Sequence, residues 1–295
     1  MKNFIDSVKL FSQRICILLI STFCITLSYS AELEIKNISR LSTIINETSG
    51  LASHKSFIYT INDSGNRNLL HKLSRDGENL GSILISNANN NDWESLAQDD
   101  HFVYIADTGN NFNLRNTFTI YKISWSQLES GEAEAELITF SYGDYMRGNI
   151  RTHNFDAEAI TIRNDEIWLF SKNRGDRNSK LYRFPKKPGN YKPMPSQSLP
   201  VNSLVTGADI SPTTGDLLLT STRRQGSEWE SFIWVAPTSA DGVEWDKHQT
   251  AAIVPSDQWE AILWNDQFDG MILTHENNVQ GHAGIGELSV SELKK

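Results

Sequence analysis

Five segments of the chain repeat one layout, and this repeat limits the possible folds more than any other feature of the sequence. Each copy begins with a small or acidic residue and a short strand pattern, passes through a turn, and ends in a stronger apolar strand followed by polar residues. Third strand patterns follow every copy and fourth patterns follow most of them. The copies begin at Ser49, Asp92, Asp156, Thr206 and Gln258. Four short antiparallel strands per repeated unit predict a β-propeller.

The spacing of the copies predicts the number of blades. The chain from Glu47 onward divides into five units of about 50 residues, close to the blade periods of known propellers. The alternating apolar segment 32–41 precedes the first unit, and we expect it to form the outer strand of the last blade and to close the ring. We therefore predict an all-β fold with five blades of four antiparallel strands. Six blades are the alternative, with the additional blade between Trp125 and Asp156.

The first thirty residues have the layout of a secretory signal peptide. Three basic residues precede an apolar run at 15–27, and small residues follow it up to Ser30. An uncleaved membrane anchor is the alternative, but the run is shorter than the roughly 20 residues that a spanning helix needs. We predict a signal peptide over 1–30 and a single propeller domain over 31–295. The protein is then secreted or periplasmic, with no stable membrane insertion after cleavage.

Charge and cysteine content exclude several classes of function. The chain has 27 basic and 36 acidic residues, and the signal segment contains three of the former and one of the latter. The remaining 24 basic and 35 acidic residues give a net charge of −11. This acidity argues against nucleic acid as a partner, because phosphate binding needs a basic surface. Cys16 and Cys24 both lie in the signal segment, which excludes thiolate zinc sites and cysteine nucleophiles from the rest of the chain.

Three glutamates recur at one position of the repeat. Glu94, Glu158 and Glu260 lie at equivalent places on predicted innermost strands, so we expect their carboxylates to converge on the central channel. Converging carboxylates require a counter-charge or raised pKa values. One interpretation is a metal site for Ca²⁺, a hard cation with oxygen ligands, to which Asp209 of the fourth repeat would also contribute. The other interpretation is pairing with Lys and Arg side chains.

Further candidates lie where the second strands end and in the loops beyond them. The predicted ligand-binding residues are Asp63, Asp107, Arg115, Arg174 and Arg223. The aspartates also suit tight turns without any ligand, and Arg174 and Arg223 suit pairing with channel acids. For catalysis, the candidates are the three recurring glutamates and His275, which is the best placed general base.

The longest loop, Tyr145 to Asn154, is predicted at the same end of the ring. It carries Arg147, Arg151 and His153. Loops on a rigid ring commonly carry binding residues, so this loop either contacts an anionic ligand or is simply solvated.

The ordered motifs resemble a set of exported bacterial β-propellers and, more distantly, the phytase-like and lactonase-like propellers. The motifs are Asp92-Trp93-Glu94, Tyr104 to Asn111, Asp156 to Ile160, Val205 to Pro212 and Glu260-Ala261-Ile262. The resemblance implies the propeller fold. Because several of the more distant propellers hold calcium at the channel, it also implies a Ca²⁺ site, although Gly207-Ala208 of the fourth repeat argues against a symmetric cage.

From these observations we predict an exported, monomeric module that binds a small molecule or a protein through its acidic channel. The alternative is a calcium-dependent hydrolase of a phosphoester or a lactone. Fold alone does not decide between them, because one fold supports many functions.

Overall fold

A computed structural model describes residues 32–131, 133–267, 269–277 and 281–293, so the predicted signal segment lies outside the described residues. The strands, in chain order, are β1 (Glu32–Glu34), β2 (Lys36–Arg40), β3 (Thr48–His54), β4 (Phe57–Asn62), β5 (Leu69–Leu73), β6 (Asn79–Leu84), β7 (Trp93–Gln98), β8 (Phe102–Asp107), β9 (Phe118–Ser124), β10 (Glu136–Phe140), β11 (Ala157–Arg163), β12 (Glu166–Ser171), β13 (Ser179–Pro185), β14 (Gly189–Tyr191), β15 (Pro195–Leu199), β16 (Leu204–Ile210), β17 (Leu217–Gln225), β18 (Glu228–Ala236), β19 (Gln249–Val254), β20 (Trp259–Trp264), β21 (Gly270–His275) and β22 (Gly284–Ser289). Helical segments are α1 (Trp125–Ser130) and the 3₁₀ turns Trp245–Lys247 and Val290–Glu292. None of these helices is long and apolar enough to cross a membrane.

These strands form five sheets, which are the blades of a propeller and confirm the predicted fold. From the axis outward, the blades contain β3-β4-β5-β6 (blade I), β7-β8-β9-β10 (blade II), β11-β12-β13-β15 (blade III), β16-β17-β18-β19 (blade IV) and β20-β21-β22-β2 (blade V). The alternative of a sixth blade between Trp125 and Asp156 is wrong. That stretch contains α1, the outer strand β10 of blade II and a loop.

The segment before blade I is shared between two blades. As predicted, β2 closes blade V by pairing antiparallel with β22, with Lys36 opposite Glu287. The first part of the segment differs from the prediction, because β1 adds to the outer edge of blade IV in parallel with β19, with Leu33 opposite Ile253. Leu33 and Ile35 are buried in the apolar cluster between blades IV and V, so the alternating pattern serves both neighbours.

The core of the molecule lies between the blades. Five clusters of buried apolar side chains each join two consecutive blades, from blades I and II round to blades V and I. Trp93 and Trp259, which precede two of the recurring glutamates, are fully buried in such clusters. The alternation of a strand therefore turns these tryptophans away from the channel, as the sequence predicts.

Each innermost strand has a β-bulge at the same place. The pairing register with the second strand shifts by one residue there, which leaves one residue of each innermost strand without a partner. The bulged residues are Ser49, Glu94, Glu158, Thr206 and Glu260. Because a bulge redirects the side chain that it carries, three of the five blades present a glutamate at one level of the channel. In blade IV the equivalent residue is Thr206.

Neighbouring innermost strands approach closely at this level. A β-carbon on Gly50 would lie 2.4 Å from the backbone nitrogen of Leu96, and one on Gly207 would lie 3.1 Å from Cα of Ala261. Side-chain hydroxyls also join the blades, since Thr206 Oγ1 donates to the carbonyl of Trp259 at 2.8 Å. The bulged residues are therefore held on a tightly packed ring.

Candidate functional site

Residues from all five blades line a cavity of about 210 Å³ at the end of the channel where the innermost strands begin. We call this cavity the acidic pocket. Its lining residues are Asp63, Glu94, Asn111, Glu158, Lys172, Arg174, Leu204, Thr222, Trp229, Gln258, Glu260 and Glu276. Asp92 and Asp156 lie directly behind this lining, because each places a carboxylate oxygen within 4.8 Å of one on Glu94. The pocket thus gathers seven carboxyl groups around Lys172 and Arg174.

One side of the acidic pocket is neutralised by ion pairs. Lys172 follows the end of β12, and its ammonium group contacts the carboxylate of Glu158. Arg174 donates from Nε and Nη2 to Oδ2 of Asp156, at 3.0 and 2.9 Å. The other oxygen of Asp156 accepts the backbone N–H of Asn110 at 2.8 Å. Of the three recurring glutamates, Glu158 is thus paired with a cation, and Asp156 is paired beside it.

The neighbouring acids hold the two cations on this side of the pocket in their charged forms, although burial opposes this and also raises the pKa of Glu158. Burial disfavours the Lys172 ammonium, but the carboxylates of Glu158 and Glu260 outweigh it and raise the pKa of Lys172 above its ordinary value. The pKa of Arg174 is likewise raised, since Asp156 and Glu158 oppose the effect of burial. Both cations therefore remain charged throughout the physiological pH range.

The other side of the pocket has a different composition. Asp63, Asp92 and Glu94 each offer an oxygen within 4.8 Å of the other two. Among the described residues, no Lys or Arg forms an ion pair with these three acids. Oε1 of Glu94 is buried and has no hydrogen-bond donor in the described part of the chain, while its Oε2 accepts a 3.4 Å hydrogen bond from Ser49. We call these three residues the carboxylate triad.

Gly109 provides the space for the carboxylate triad. A β-carbon at this position would lie 2.3 Å from Oδ2 of Asp92 and 2.4 Å from Oε1 of Glu94. The backbone of Gly109 is fixed there, because its N–H donates to the carbonyl of Asp92 at 3.1 Å. Two of the triad oxygens are thus directed to the same small space.

The pKa values of all three triad carboxyl groups are raised, because burial and repulsion from neighbouring acids disfavour their charged forms. Burial, with the charges of Glu158 and Asp63, raises the pKa of Glu94 well above its usual range. Burial and then Asp63 and Asp156 raise the pKa of Asp92 to about 6. The pKa of Asp63 is also raised, mainly by burial. These shifts mean that full ionisation of the triad is unfavourable without a further positive charge.

Blade V contributes two more acids to the pocket. Glu260 is buried at the bulge of β20, and burial raises its pKa. Glu276 follows the end of β21, and burial together with Glu260 and Asp63 raises its pKa to about 8. Glu276 is therefore mostly protonated near neutral pH.

Asp209 does not join the other predicted metal ligands. It lies three residues beyond the bulge of β16, in a second axial cavity of about 510 Å³ at the opposite ends of the innermost strands. Its carboxylate accepts the backbone N–H of Trp264 at 2.9 Å and the amide of Gln98 at 3.3 Å. Burial raises the pKa of Asp209 to about 7. Because these two cavities occupy opposite ends of the channel, a metal cage containing both Asp209 and Glu94 does not form.

The predicted ligand-binding residues separate into two groups. Asp63 and Arg174 line the acidic pocket. Asp107 is fully buried behind it and pairs with Arg115 at 2.7 Å, and Arg115 also donates to the carbonyl of Gly109 at 2.8 Å. This pair supports the loop that carries Gly109 and does not line the pocket.

Arg223 and His275 also lie outside the pocket lining. Arg223 pairs with Glu230 on the neighbouring strand at 2.7 Å. His275 is buried, its ring packs edge-on against Trp259 with the ring centres 4.9 Å apart, and its Nδ1 donates to the carbonyl of Glu276 at 2.9 Å. In this position His275 orients the backbone next to Glu276.

Sequence reasoning missed Glu276, Gln258 and Trp229 as pocket residues. Glu276 had a recognisable signal, since it directly follows a second strand, as Asp63 does in blade I. The position of Trp229 at the pocket results from the length of β17 and β18, which have nine residues each and pair as far as Gln225 and Glu228. This hairpin extends three residues beyond the Leu204–Thr222 pair at the start of β16 and brings Trp229 to the pocket.

The fold and the site together define a five-bladed β-propeller with an acidic axial pocket. No protein-family model and no curated protein matches the chain. Among solved structures, an exo-β-1,3-galactanase from Phanerochaete chrysosporium with bound β-1,3-galactotriose has a TM-score of 0.53 at 11% identity, over 84% of this chain and 62% of that one. The chain thus spans less than two thirds of the galactanase chain.

Two further solved structures are similar at lower scores. An α-L-arabinofuranosidase catalytic domain from Coprinopsis cinerea has a TM-score of 0.49 at 10% identity, over 88% of this chain and 97% of that one. A calcium-binding protein, regucalcin, from Agrobacterium tumefaciens has a TM-score of 0.44 at 11% identity, with the same two coverages. At such identities the likeness concerns the fold alone.

Proposed function

We propose that this protein is a ligand-binding β-propeller and that the acidic pocket is its binding site. The observation that carries the proposal is Oε1 of Glu94, which is buried without a donor among the described residues, beside Asp63 and Asp92. An unsatisfied buried carboxylate oxygen is costly, and a bound ion or water or a catalytic role is the usual reason that a native protein retains one. Its position on a bulge of the rigid ring suits a preformed site.

The first ligand that we propose is a divalent cation, Ca²⁺, held by the carboxylate triad. All three side chains offer hard oxygen donors, which Ca²⁺ prefers. Zinc normally takes histidine or cysteine ligands, and the triad contains neither. Mg²⁺ demands a stricter octahedral geometry and keeps much of its water, which suits a partly exposed site with fewer carboxylates.

The ion-paired side of the pocket gives the site a second specificity element. Arg174 and Lys172 present positive charges in the same pocket as the triad. With a cation on the triad, the pocket would favour a small molecule with anionic or hydroxyl oxygens that contacts both sides. The volume of about 210 Å³ is below the range typical of drug-sized ligands, so we propose a compact ligand.

Calorimetric titration with CaCl₂ of chelator-treated protein tests the cation site. We expect one-site binding that Glu94→Gln weakens at least about tenfold, equivalent to about 1.4 kcal/mol. Asp209→Asn is the matched control, because it also alters a buried carboxylate on an innermost strand, but in the opposite cavity. If calcium does not bind, or if both variants weaken it equally, the triad is not the site.

A second candidate function is a calcium-dependent hydrolase of a phosphoester or a lactone. The observation that favours it is that Glu276, which lines the acidic pocket, has a pKa of about 8, while Asp92, directly behind the lining, has a pKa of about 6. Near neutral pH such a pair provides a proton donor and a base. A substrate panel with an aryl phosphodiester, a lactone and, because of the galactanase likeness, an aryl galactoside tests it. Turnover that Glu276→Gln abolishes supports the hydrolase, and absence of turnover with calcium bound leaves the binding function alone.

We also propose that the protein is exported and that residues 1–30 are removed. The support is the sequence pattern of basic residues, apolar run and small residues. Expression of the full chain in a bacterial host, followed by N-terminal sequencing of the periplasmic fraction, should give a chain that begins at Ala31. A cytoplasmic product that begins at Met1 would contradict the proposal.

A further inference from the structure

The face of the propeller that contains the acidic pocket carries a set of exposed apolar side chains. Among the described residues, the four most exposed large apolar side chains are Leu114 (79% exposed), Met146 (73%), Phe112 (65%) and Met194 (62%). Ile150, at 50%, lies near Met146 in the chain. They belong to three segments, 110–116, 144–152 and 192–194, which we call the loop rim. Such a concentration of exposed apolar groups is unusual for a surface without a partner.

The three segments are joined to one another at their bases. His153 Nε2 donates to the carbonyl of Asn111 at 3.3 Å, which ties the first segment to the second. The backbone N–H of Gly143 donates to the carbonyl of Pro193 at 2.8 Å, which ties the second to the third. The strands that flank the first two segments, β8 and β11, have their Asp107 and Ala157 ends at the acidic pocket, so these loops lie on that face.

The charge of the loop rim is opposite to that of the whole chain. The exposed charged residues within the three segments are Arg147, Arg151 and Lys192. Asp144, the acid in this part of the second segment, is half-buried and pairs with Lys180 at 2.6 Å. The chain as a whole has a net charge of −9. A local basic surface on an acidic protein favours an anionic partner.

From this arrangement we infer that the loop rim binds an anionic lipid surface. Apolar and basic residues alternate closely along the segments, as in Met146-Arg147 and Ile150-Arg151. Apolar tips with adjacent cations suit the lipid headgroup region, where the apolar groups enter the acyl boundary and the cations contact phosphates. A protein interface instead has an apolar centre that is depleted of charge, surrounded by a polar rim. The inference is independent of the proposed calcium site.

Sedimentation with lipid vesicles tests the inference. The protein used is the whole chain from Ala31 onward, in the presence of chelator so that calcium cannot bridge it to lipid. We expect binding to phosphatidylcholine vesicles that contain phosphatidylglycerol, little binding to phosphatidylcholine alone, and weakening by salt. The double variant Phe112→Ser/Leu114→Ser should lower the partition coefficient about tenfold or more. Arg147→Glu/Arg151→Glu should remove the preference for anionic lipid.

The control variant is Leu80→Ser/Leu84→Ser. These residues are also exposed apolar side chains, at 45% and 47%, but they lie on the outer strand of blade I. The control should bind vesicles like the unchanged protein, and thermal melting should show that all variants are folded. Absence of binding to anionic vesicles, an equal loss in the control, or self-association through the loop rim in sedimentation velocity would each overturn the inference.

Discussion

Gly109 lies so close to Glu94 that a β-carbon at position 109 would be 2.4 Å from Oε1 of the glutamate. Since Oδ2 of Asp92 would be equally close, at 2.3 Å, Gly109→Ala must displace both carboxylates. We expect calcium affinity to fall about tenfold or more and the free energy of unfolding to fall by roughly 1–3 kcal/mol. Calorimetry and urea unfolding measure these effects. Gly148→Ala, where the nearest heavy atom would be 3.8 Å away, should change neither quantity.

The buried ion pair between Lys172 and Glu158 predicts a strongly non-additive mutant cycle. Lys172→Met leaves a buried carboxylate without its partner and should cost about 3–5 kcal/mol of unfolding free energy. Adding Glu158→Gln removes the stranded charge and should recover more than half of that loss. Urea unfolding in chelator checks both values. If the loss in the double variant equals the sum of the losses in Lys172→Met and Glu158→Gln measured singly, the pair has no energetic coupling.

Raised carboxyl pKa values predict that stability decreases as pH increases. A group whose pKa is higher in the folded state binds more protons there, so its stabilising protonated form is lost as pH rises through the folded pKa. Both carboxyl groups are ionised in the unfolded chain above about pH 4.5. Asp209, with a pKa of about 7, and Glu276, with a pKa of about 8, therefore lower stability as pH rises from there to about pH 8, above which they are ionised in both states. His71, whose pKa burial lowers to about 4, opposes this trend below about pH 6.5 and is neutral in both states above it, so the window from about pH 6.5 to pH 8 isolates the carboxyl effect.

The expected size of this pH effect is moderate. One pKa unit corresponds to about 1.4 kcal/mol. Because Glu276 is partly exposed, its contribution is reduced, and we expect the free energy of unfolding to decrease by roughly 2 kcal/mol over this window. Chemical unfolding in chelator at several pH values measures it. Glu276→Gln should flatten the slope, and calcium should do so as well if it binds the ionised pocket. A stability that rises over the same window would contradict the pKa order.

The apolar contact of β1 with its two neighbouring blades predicts that the N-terminal segment is essential for stability. Leu33→Ala removes a side chain that is 3% exposed and should cost about 2–5 kcal/mol. Leu80→Ala on the outer strand of blade I, where 45% of the side chain is exposed, should cost much less. Thermal melting of both variants makes the comparison. Similar losses would mean that β1 does not hold blades IV and V together.

The sequence alone predicts the ring because the blade pattern is local. Strand alternation and turn residues mark each copy, and the apolar segment at 32–41 lacks a blade of its own, so closure follows from the count. The short edge strands β1 and β14 are not predictable in this way. Each contains three residues and pairs in parallel with a strand that is distant in the chain, so no turn or alternation identifies its partner.

The candidate site is only partly readable from the sequence for a related reason. Glu94, Glu158 and Glu260 share a repeat position, and repetition reveals that position directly. Whether an acid pairs with a basic side chain depends on which residues end the strands around it. Lys172 and Arg174, for example, follow the end of β12 and pair with Glu158 and Asp156. Asp209 is predicted as a metal ligand because it is acidic, but its position in the strand differs from that of the three glutamates. Three residues along a strand correspond to about 10 Å, which brings Asp209 to the opposite cavity.

Closure of the ring by β1 and β2 has a kinetic consequence. Residues that meet there can be 250 positions apart, as Asn37 and Glu287 are, so loop-closure entropy must be overcome before those contacts form. Contacts of such high sequence separation form slowly. The strands β1 and β2 can therefore pair only after β19 and β22 have formed. Until then the first blades belong to a ring that is still open. We expect a late, slow folding step in which the chain ends are joined.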